Sequence, residues 1–191
     1  RWDVAIVISS AVPALLWGVA FANIVRGVPI EMSADGNLEY VGGFFNLLNP
    51  YALLGGVVTL TVFLTHGAIF LSLKTVGGIR EQARKFAVKI GLVAAVAAVS
   101  FLVWTNLMLP ELNTTVLVLS TVVALAWVAG LLATLKVREG WAFIFSAVAI
   151  ATFVADLFYA LYPRVMPSSV SSQFDLTITN ASATHNTLTV M

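Results

Sequence analysis

The sequence predicts an all-α integral membrane protein, a polytopic helix bundle that forms one membrane domain over residues 1–191. The chain is 60% hydrophobic and only 10% charged, and its mean hydropathy is +0.97. A soluble domain has about 25% charged residues. Because so few polar side chains are available to cover the surface, a lipid bilayer must surround most of the protein.

Five apolar segments are long enough to be transmembrane helices, each of which needs about 20 residues to cross the hydrocarbon core. Asn49 and Pro50 provide a capping side chain and a first-turn proline before the second segment. Pro110 and Pro163 follow the third and fifth segments and end them. The predicted helices cover residues 4–25, 51–73, 90–109, 115–135 and 141–162.

Basic residues predict the orientation, since Lys and Arg are enriched in cytoplasmic loops. Eight of the ten fall on one side of the predicted bundle, and only Arg26 and Arg164 fall on the other. Loop 74–89 is therefore expected in the cytoplasm, and loop 26–49 and segment 163–187 outside. The eight are Arg1, Lys74, Arg80, Arg84, Lys85, Lys89, Lys136 and Arg138.

The outer segment after Pro163 is rich in Ser, Thr and Asn. Its apolar residues Phe174, Leu176 and Ile178 alternate with polar ones, which predicts a short strand.

Composition also excludes several classes of function. The chain has no cysteine, which rules out disulfides, thiolate catalysis and cysteine-bound metal clusters within it. The formal net charge is +1, so no nucleic-acid partner is expected. No nucleophile–base pair, glycine-rich phosphate loop or metal-binding carboxylate cluster is visible.

Ionisable residues inside membrane helices are costly and therefore mark candidate functional sites. His66 and Asp156 are the two that stand out. At a rise of 1.5 Å per residue, His66 lies roughly 6 Å from its helix centre toward the cytoplasm, and Asp156 roughly 7 Å from its own toward the outside. The two residues are therefore expected to be separate features.

Two other polar residues are expected near the depth of Asp156, since Asn106 and Asn23 also fall in the outer half of their helices. One interpretation is an outward-facing proton or solvent site. The other, which the residues favour, is a neutral or interfacially solvated carboxyl that is hydrogen-bonded to an amide or phenol.

His66 could ligate haem through an imidazole nitrogen, but two-histidine ligation needs a second ring. No other predicted span contains histidine, and His185 lies in the outer segment at the wrong level. A structural ring satisfied by Thr65, a carbonyl or a neighbouring helix is the favoured interpretation. A functional alternative is a proton-coupled secondary transporter or channel that uses His66 and Asp156.

Several strings along the chain resemble subunit II of the cytochrome bd quinol oxidases, the family often called CydB. The resemblance covers nearly the whole chain in order, and the string at 47–75 and LYPRVMPSS are its most specific parts. The strings are WGVAFANIVRGVP at 17–29, LLNPYALLGGVVTLTVFLTHGAIFLSLKT at 47–75, GWAF at 140–143, LYPRVMPSS at 161–169 and LTITNASATHNTLTVM at 176–191.

The resemblance implies a longer subunit with nine spans, of which these five are the fourth to eighth, so that the first three and the last are absent. It also implies an enzyme complex of the bacterial inner membrane that oxidises quinol, reduces O₂ to water and generates a proton gradient. Haem b and haem d are then expected in a partner, subunit I, with which this subunit forms a heterodimer in contact with lipids. The resemblance also allows small accessory subunits as further partners.

For the site residues, the resemblance implies that this part of the subunit holds no catalytic, cofactor-binding or metal-binding residue. His66 matches a position where the family often has histidine, with a role in packing or hydrogen bonding. Asp156 and the pair His185–Asn186 depart from the family pattern, so a role for Asp156 is expected to be peculiar to this protein.

Overall fold

A computed structural model describes residues 2–108, 113–183 and 187. Within these residues five long helices form the protein, and all five are long and apolar enough to cross a membrane. This confirms the predicted all-α polytopic class. The helices are α1 (Trp2–Arg26), α2 (Pro50–Lys74), α3 (Gly77–Met108), α4 (Thr114–Leu135) and α5 (Glu139–Leu161).

Local sequence explains where the helices begin and end. Asn49 caps α2 by accepting a hydrogen bond from the backbone N–H of Ala52, and Pro50 occupies the first turn. α5 ends at Leu161, just before Pro163. Gly27 ends α1 with a φ of +88°, and a Cβ atom at this position would lie 2.7 Å from the carbonyl oxygen of Pro167. Glycine is thus required for both conformation and space.

The predicted start of the third helix is wrong. α3 begins at Gly77 rather than at residue 90, so most of the predicted loop 74–89 is helical. Ala83 and Ala87 form a buried stripe, and Glu81 pairs with Lys85 one turn later at 2.7 Å. This part of the helix is amphipathic. The helix therefore continues through the charged residues that precede the apolar segment.

Packing within the bundle is sequential. α2 packs against α1 on one side and α3 on the other, and α4 packs mainly against α5. Small residues allow close approach between α1 and α2, since a Cβ atom at Gly55 would lie 2.6 Å from Ala22 Cβ. The outward faces of the helices expose large apolar side chains, and only Gly18, Val19, Ala22 and Asn23 of α1 are buried.

The two ends of the bundle differ. We call residues 26–49 and 163–183 the loop end, and residues 74–89 and 136–139 the basic end. The loop end contains two small antiparallel sheets and two short 3₁₀ helices, which cover Phe44–Leu48 and Ser172–Phe174. The strands are β1 (Ile30–Met32), β2 (Leu38–Tyr40), β3 (Arg164–Met166) and β4 (Leu176–Thr177).

The strand predicted from Phe174, Leu176 and Ile178 is confirmed only at β4, because Phe174 belongs to the second 3₁₀ helix. The two loop segments are joined to each other. Val28 donates to the carbonyl of Pro167, and the Ser168 hydroxyl donates to the carbonyl of Ile30 at 2.8 Å. The predictions that involve Arg1, Pro110 and the pair His185–Asn186 lie outside the described residues.

Candidate intramembrane polar sites

The four predicted polar residues belong to three separate hydrogen-bonded groups. His66 contacts Ser146, Asp156 contacts Ser120, and Asn23 contacts the loop end. Asn106 joins the Asp156 group through Ser120. Asn23 therefore does not share a site with Asp156, although both lie near the same end of the bundle.

His66 connects α2 to α5. Its Nδ1 atom lies 2.8 Å from the hydroxyl oxygen of Ser146, and its half-buried ring stacks on Phe143 with centroids 4.8 Å apart. Ser146 donates its single hydroxyl hydrogen to the carbonyl of Phe143 at 3.0 Å. Because that hydrogen is already used, the Ser146 oxygen must accept from His66, which places the ring proton on Nδ1.

Asp156 lies in the contact between α3, α4 and α5 and is 2% exposed. The Ser120 hydroxyl donates to its Oδ2 atom at 2.8 Å. The amide nitrogen of Asn106 lies 3.4 Å from the same hydroxyl oxygen. It also donates to the carbonyl oxygen of Leu102 at 2.9 Å. Asp156 Oδ1 and Asn106 Oδ1 are buried without a hydrogen-bond partner in the part of the chain that the structure describes.

Asn23 holds the loop end against α1 and α2. Its amide donates to the carbonyls of Val19 and Leu47, each at 2.8 Å, and its Oδ1 accepts from Asn49 at 2.9 Å. Asn49 in turn caps α2. Both polar atoms of the Asn23 side chain are thus hydrogen-bonded within the protein.

His66 and Asp156 do not meet. Ser146 and Asp156 both lie on α5, ten residues apart in the sequence, which corresponds to about 15 Å along a helix axis. Each residue has its own serine partner. The structure therefore shows no direct contact between the two ionisable groups, as expected from their depths.

Two polar groups were missed by the sequence analysis. The hydroxyls of Tyr51 and Thr105 lie 2.7 Å apart between α2 and α3, and the Tyr51 ring stacks on Phe101. At the basic end, the guanidinium of Arg80 donates two hydrogen bonds to Glu139 at 3.0 and 2.9 Å, and Arg84 lies 3.7 Å from the same carboxylate. The alternation of buried and charged residues in 80–87 was the available signal for the second group.

An apolar cavity of about 530 Å³ lies between the helices. Aromatic side chains from four helices line much of it, namely Trp17, Phe21, Phe63, Trp127, Phe153 and Phe158. Thr59 is the polar residue in its lining. Such a cavity suits hydrocarbon and excludes ions and charged substrates.

The described residues do not form a metal site or a two-histidine haem site. In residues 2–108 and 113–183, no group of three or more His, Cys, Asp or Glu side chains is placed to hold a metal ion. His66 is the one histidine of the five described helices, and its Nδ1 atom already bonds Ser146. Its ring is stacked on Phe143. Because the described helices contain no second histidine, they do not fit a two-histidine haem.

Comparisons with known proteins agree with the resemblance seen in the sequence. Residues 1–191 match the family described as cytochrome bd terminal oxidase subunit II. The whole chain aligns with cytochrome bd ubiquinol oxidase subunit 2 of Bacillus subtilis (strain 168) at 32% identity, covering 56% of that protein. It also aligns with cytochrome bd-I ubiquinol oxidase subunit 2 of Escherichia coli (strain K12) at 34% identity, covering 59%.

A third relative, a probable cytochrome oxidase subunit 2 of Haemophilus influenzae, is 33% identical over the whole chain, which covers 58% of it. The chain thus spans a little over half the length of these relatives. The match extends through all five helices and both loop segments, so it does not depend on a single motif. The chain belongs to the cytochrome bd terminal oxidase subunit II family.

Proposed function

We propose that the protein is the non-haem subunit of a quinol oxidase that oxidises membrane quinol and reduces O₂ to water. The observation that supports this most is the match of the whole chain to the family and to relatives named as ubiquinol oxidase subunits. In this proposal the chain acts as a scaffold for the oxidase, and none of its described residues takes part in electron transfer.

The proposal assigns haem b and haem d to subunit I, the partner of this subunit in a heterodimer. Haem supplies the electron transfer and oxygen chemistry of the complex. His66 is engaged by Ser146 and Phe143, which supports a structural role for the one histidine in the described helices. Exposed apolar faces, such as that of α1, are surfaces for subunit I, the remaining helices of the subunit, small accessory subunits or lipid.

We further propose that the basic end lies in the cytoplasm and the loop end outside the bacterial inner membrane. Seven basic residues of the described chain belong to the basic end, and Arg26 and Arg164 to the loop end. With this orientation, protons released from quinol leave on the loop side and protons for water enter from the cytoplasm. Turnover would then generate a membrane potential.

A haem assay with reduced-minus-oxidised spectra tests the proposal. Tagged full-length protein is purified with its co-purifying partner, and again from a strain in which the partner gene is deleted. We expect b-type and d-type haem signals only when the partner is present, and the same signals in a His66→Ala complex. Haem that stays on the isolated chain and disappears with His66→Ala would overturn the proposal.

A further inference from the structure

The contact between α3, α4 and α5 contains two buried acceptor oxygens that lack a donor. Asp156 Oδ1 and Asn106 Oδ1 are both buried, and neither has a hydrogen-bond partner among residues 2–108 and 113–183. Both side chains converge on the hydroxyl of Ser120, which bonds Asp156 Oδ2 at 2.8 Å and lies 3.4 Å from the Asn106 nitrogen. Buried polar atoms are nearly always hydrogen-bonded, so a donor is missing from this group.

The orientation of the Asn106 amide is fixed by its own helix. Its nitrogen lies 2.9 Å from the carbonyl oxygen of Leu102, where only the NH₂ group can make a hydrogen bond. Exchanging oxygen and nitrogen would place two carbonyl oxygens against each other. Asn106 Oδ1 is therefore an acceptor, and it cannot supply the missing donor to Asp156.

Among the residues that the structure describes, no positive charge pairs with Asp156. Residues 90–108 of α3 and all of α4 contain no ionisable side chain. From α2, His66 bonds Ser146 at 2.8 Å, about three turns away along α5. On the loop side of Asp156, Tyr159 is 46% exposed and Arg164 lies 4.0 Å from Asp175. An isolated carboxylate in such a place is costly, and the group tends to neutralise instead.

We propose that Asp156, Ser120 and Asn106 form a proton-binding site within the membrane. The proton is bound to Asp156 Oδ1 and donated to Asn106 Oδ1, while Oδ2, the carbonyl oxygen of the neutral carboxyl, accepts from Ser120. A single proton thus supplies a partner to both unpaired oxygens and removes the buried charge. This inference goes beyond the scaffold role, because it gives this half of the subunit an exchangeable proton.

A metal cation or a water molecule fits this position less well than a proton. Hard cations in proteins take six or more oxygen ligands, whereas this group offers two unpaired oxygens. A water molecule that donated to both oxygens would leave a charged carboxylate without a cation. The proton is the ligand that satisfies both the hydrogen bonds and the charge.

Infrared difference spectroscopy tests the site directly. The spectrum of full-length protein, purified with its partner at neutral pH, is compared with that of Asp156→Asn. We expect the difference to contain the C=O stretch of a protonated carboxyl, shifted in D₂O. The matched control is Asp175→Asn, since Asp175 lies near Arg164 and accepts from the Ser168 N–H at 2.7 Å. That variant should remove only carboxylate bands.

Ser120→Ala provides a second measurement that does not depend on replacing the acid. Because Oδ2 is assigned as the carbonyl oxygen, loss of the Ser120 hydrogen bond should move the band to higher frequency without removing it. If Asp156→Asn removes only carboxylate bands, Asp156 is ionised and the proposal is overturned. A protonated band that Ser120→Ala leaves unmoved would overturn the assignment of the proton to Oδ1.

Discussion

The Nδ1 atom of His66 lies 2.8 Å from the hydroxyl oxygen of Ser146, and this contact joins α2 to α5 inside the bundle. Ser146 is itself bonded to the carbonyl of Phe143, on whose ring His66 stacks. The imidazole therefore has one polar and one aromatic partner on the same helix. We expect a histidine held in this way to stabilise the packing of α2 against α5.

Replacing His66 and Ser146 by alanine, singly and together, should show that they act as a pair. We expect a coupling free energy of unfolding of about 0.5–1.5 kcal/mol, as for hydrogen bonds between membrane helices. The measurement is a double-mutant cycle of denaturant-induced unfolding in mixed micelles. Ser100→Ala is the control, since Ser100 is exposed and bonds only the Val96 carbonyl of its own helix. Additive effects of the two substitutions would contradict the pairing.

The sequence was sufficient to predict the five helices and most of their ends, because hydropathy and the Asn49–Pro50 cap are local signals. It was not sufficient to predict which polar residues meet. Asn23 and Asp156 have similar depths, yet they contact different neighbours, since depth does not determine the face of a helix. Ser120 and Ser146 gave no signal, because a serine in a membrane helix usually bonds its own backbone.

The start of α3 was missed for a related reason. The charges between residues 80 and 89 indicated a loop, but they belong to a helix that buries Ala83 and Ala87. Glu81, Lys85 and Lys89 are exposed on its outer side, whereas Arg80 and Arg84 reach the carboxylate of Glu139. Glu139 lies between the predicted helices 115–135 and 141–162, so nothing in the sequence indicated that it is buried. Only the tertiary contact with Arg80 shows that it begins α5 as a buried acid.

The bidentate pair between Arg80 and Glu139 should stabilise the basic end of the bundle. Glu139 is buried, so Glu139→Gln leaves two arginines without their counter-charge, and we expect a lower thermal unfolding midpoint. Glu81→Gln breaks the exposed pair with Lys85 and should change the midpoint little. Arg80→Lys should lie between wild type and Glu139→Gln, since lysine cannot bond both oxygens in parallel. Equal midpoints for the two glutamate variants would refute the assignment.

Gly55 and Gly67 lie on the same helix but differ in their surroundings. A Cβ atom at Gly55 would lie 2.6 Å from Ala22 Cβ and 2.9 Å from the Gly18 carbonyl oxygen. A Cβ atom at Gly67 would meet no described atom within 4 Å beyond its own stretch of helix. Gly55→Ala must push α1 and α2 apart, which we expect to cost about 1–3 kcal/mol of unfolding free energy. Gly67→Ala should be neutral or stabilise the helix by up to about 1 kcal/mol. Similar losses in both variants would mean that α1 and α2 do not pack as described.

The proposed orientation predicts which positions a membrane-impermeant thiol reagent can reach. Asp35 is exposed at the loop end and Lys136 is exposed at the basic end. Residues 1–191 contain no cysteine, so Asp35→Cys and Lys136→Cys each introduce the single thiol of this region. The unsubstituted full-length protein gives the background labelling. In intact spheroplasts we expect labelling of Asp35→Cys only, and labelling of Lys136→Cys after permeabilisation. The reverse pattern would place the basic end outside, contrary to the distribution of Lys and Arg, and would exchange the sides of proton release and uptake.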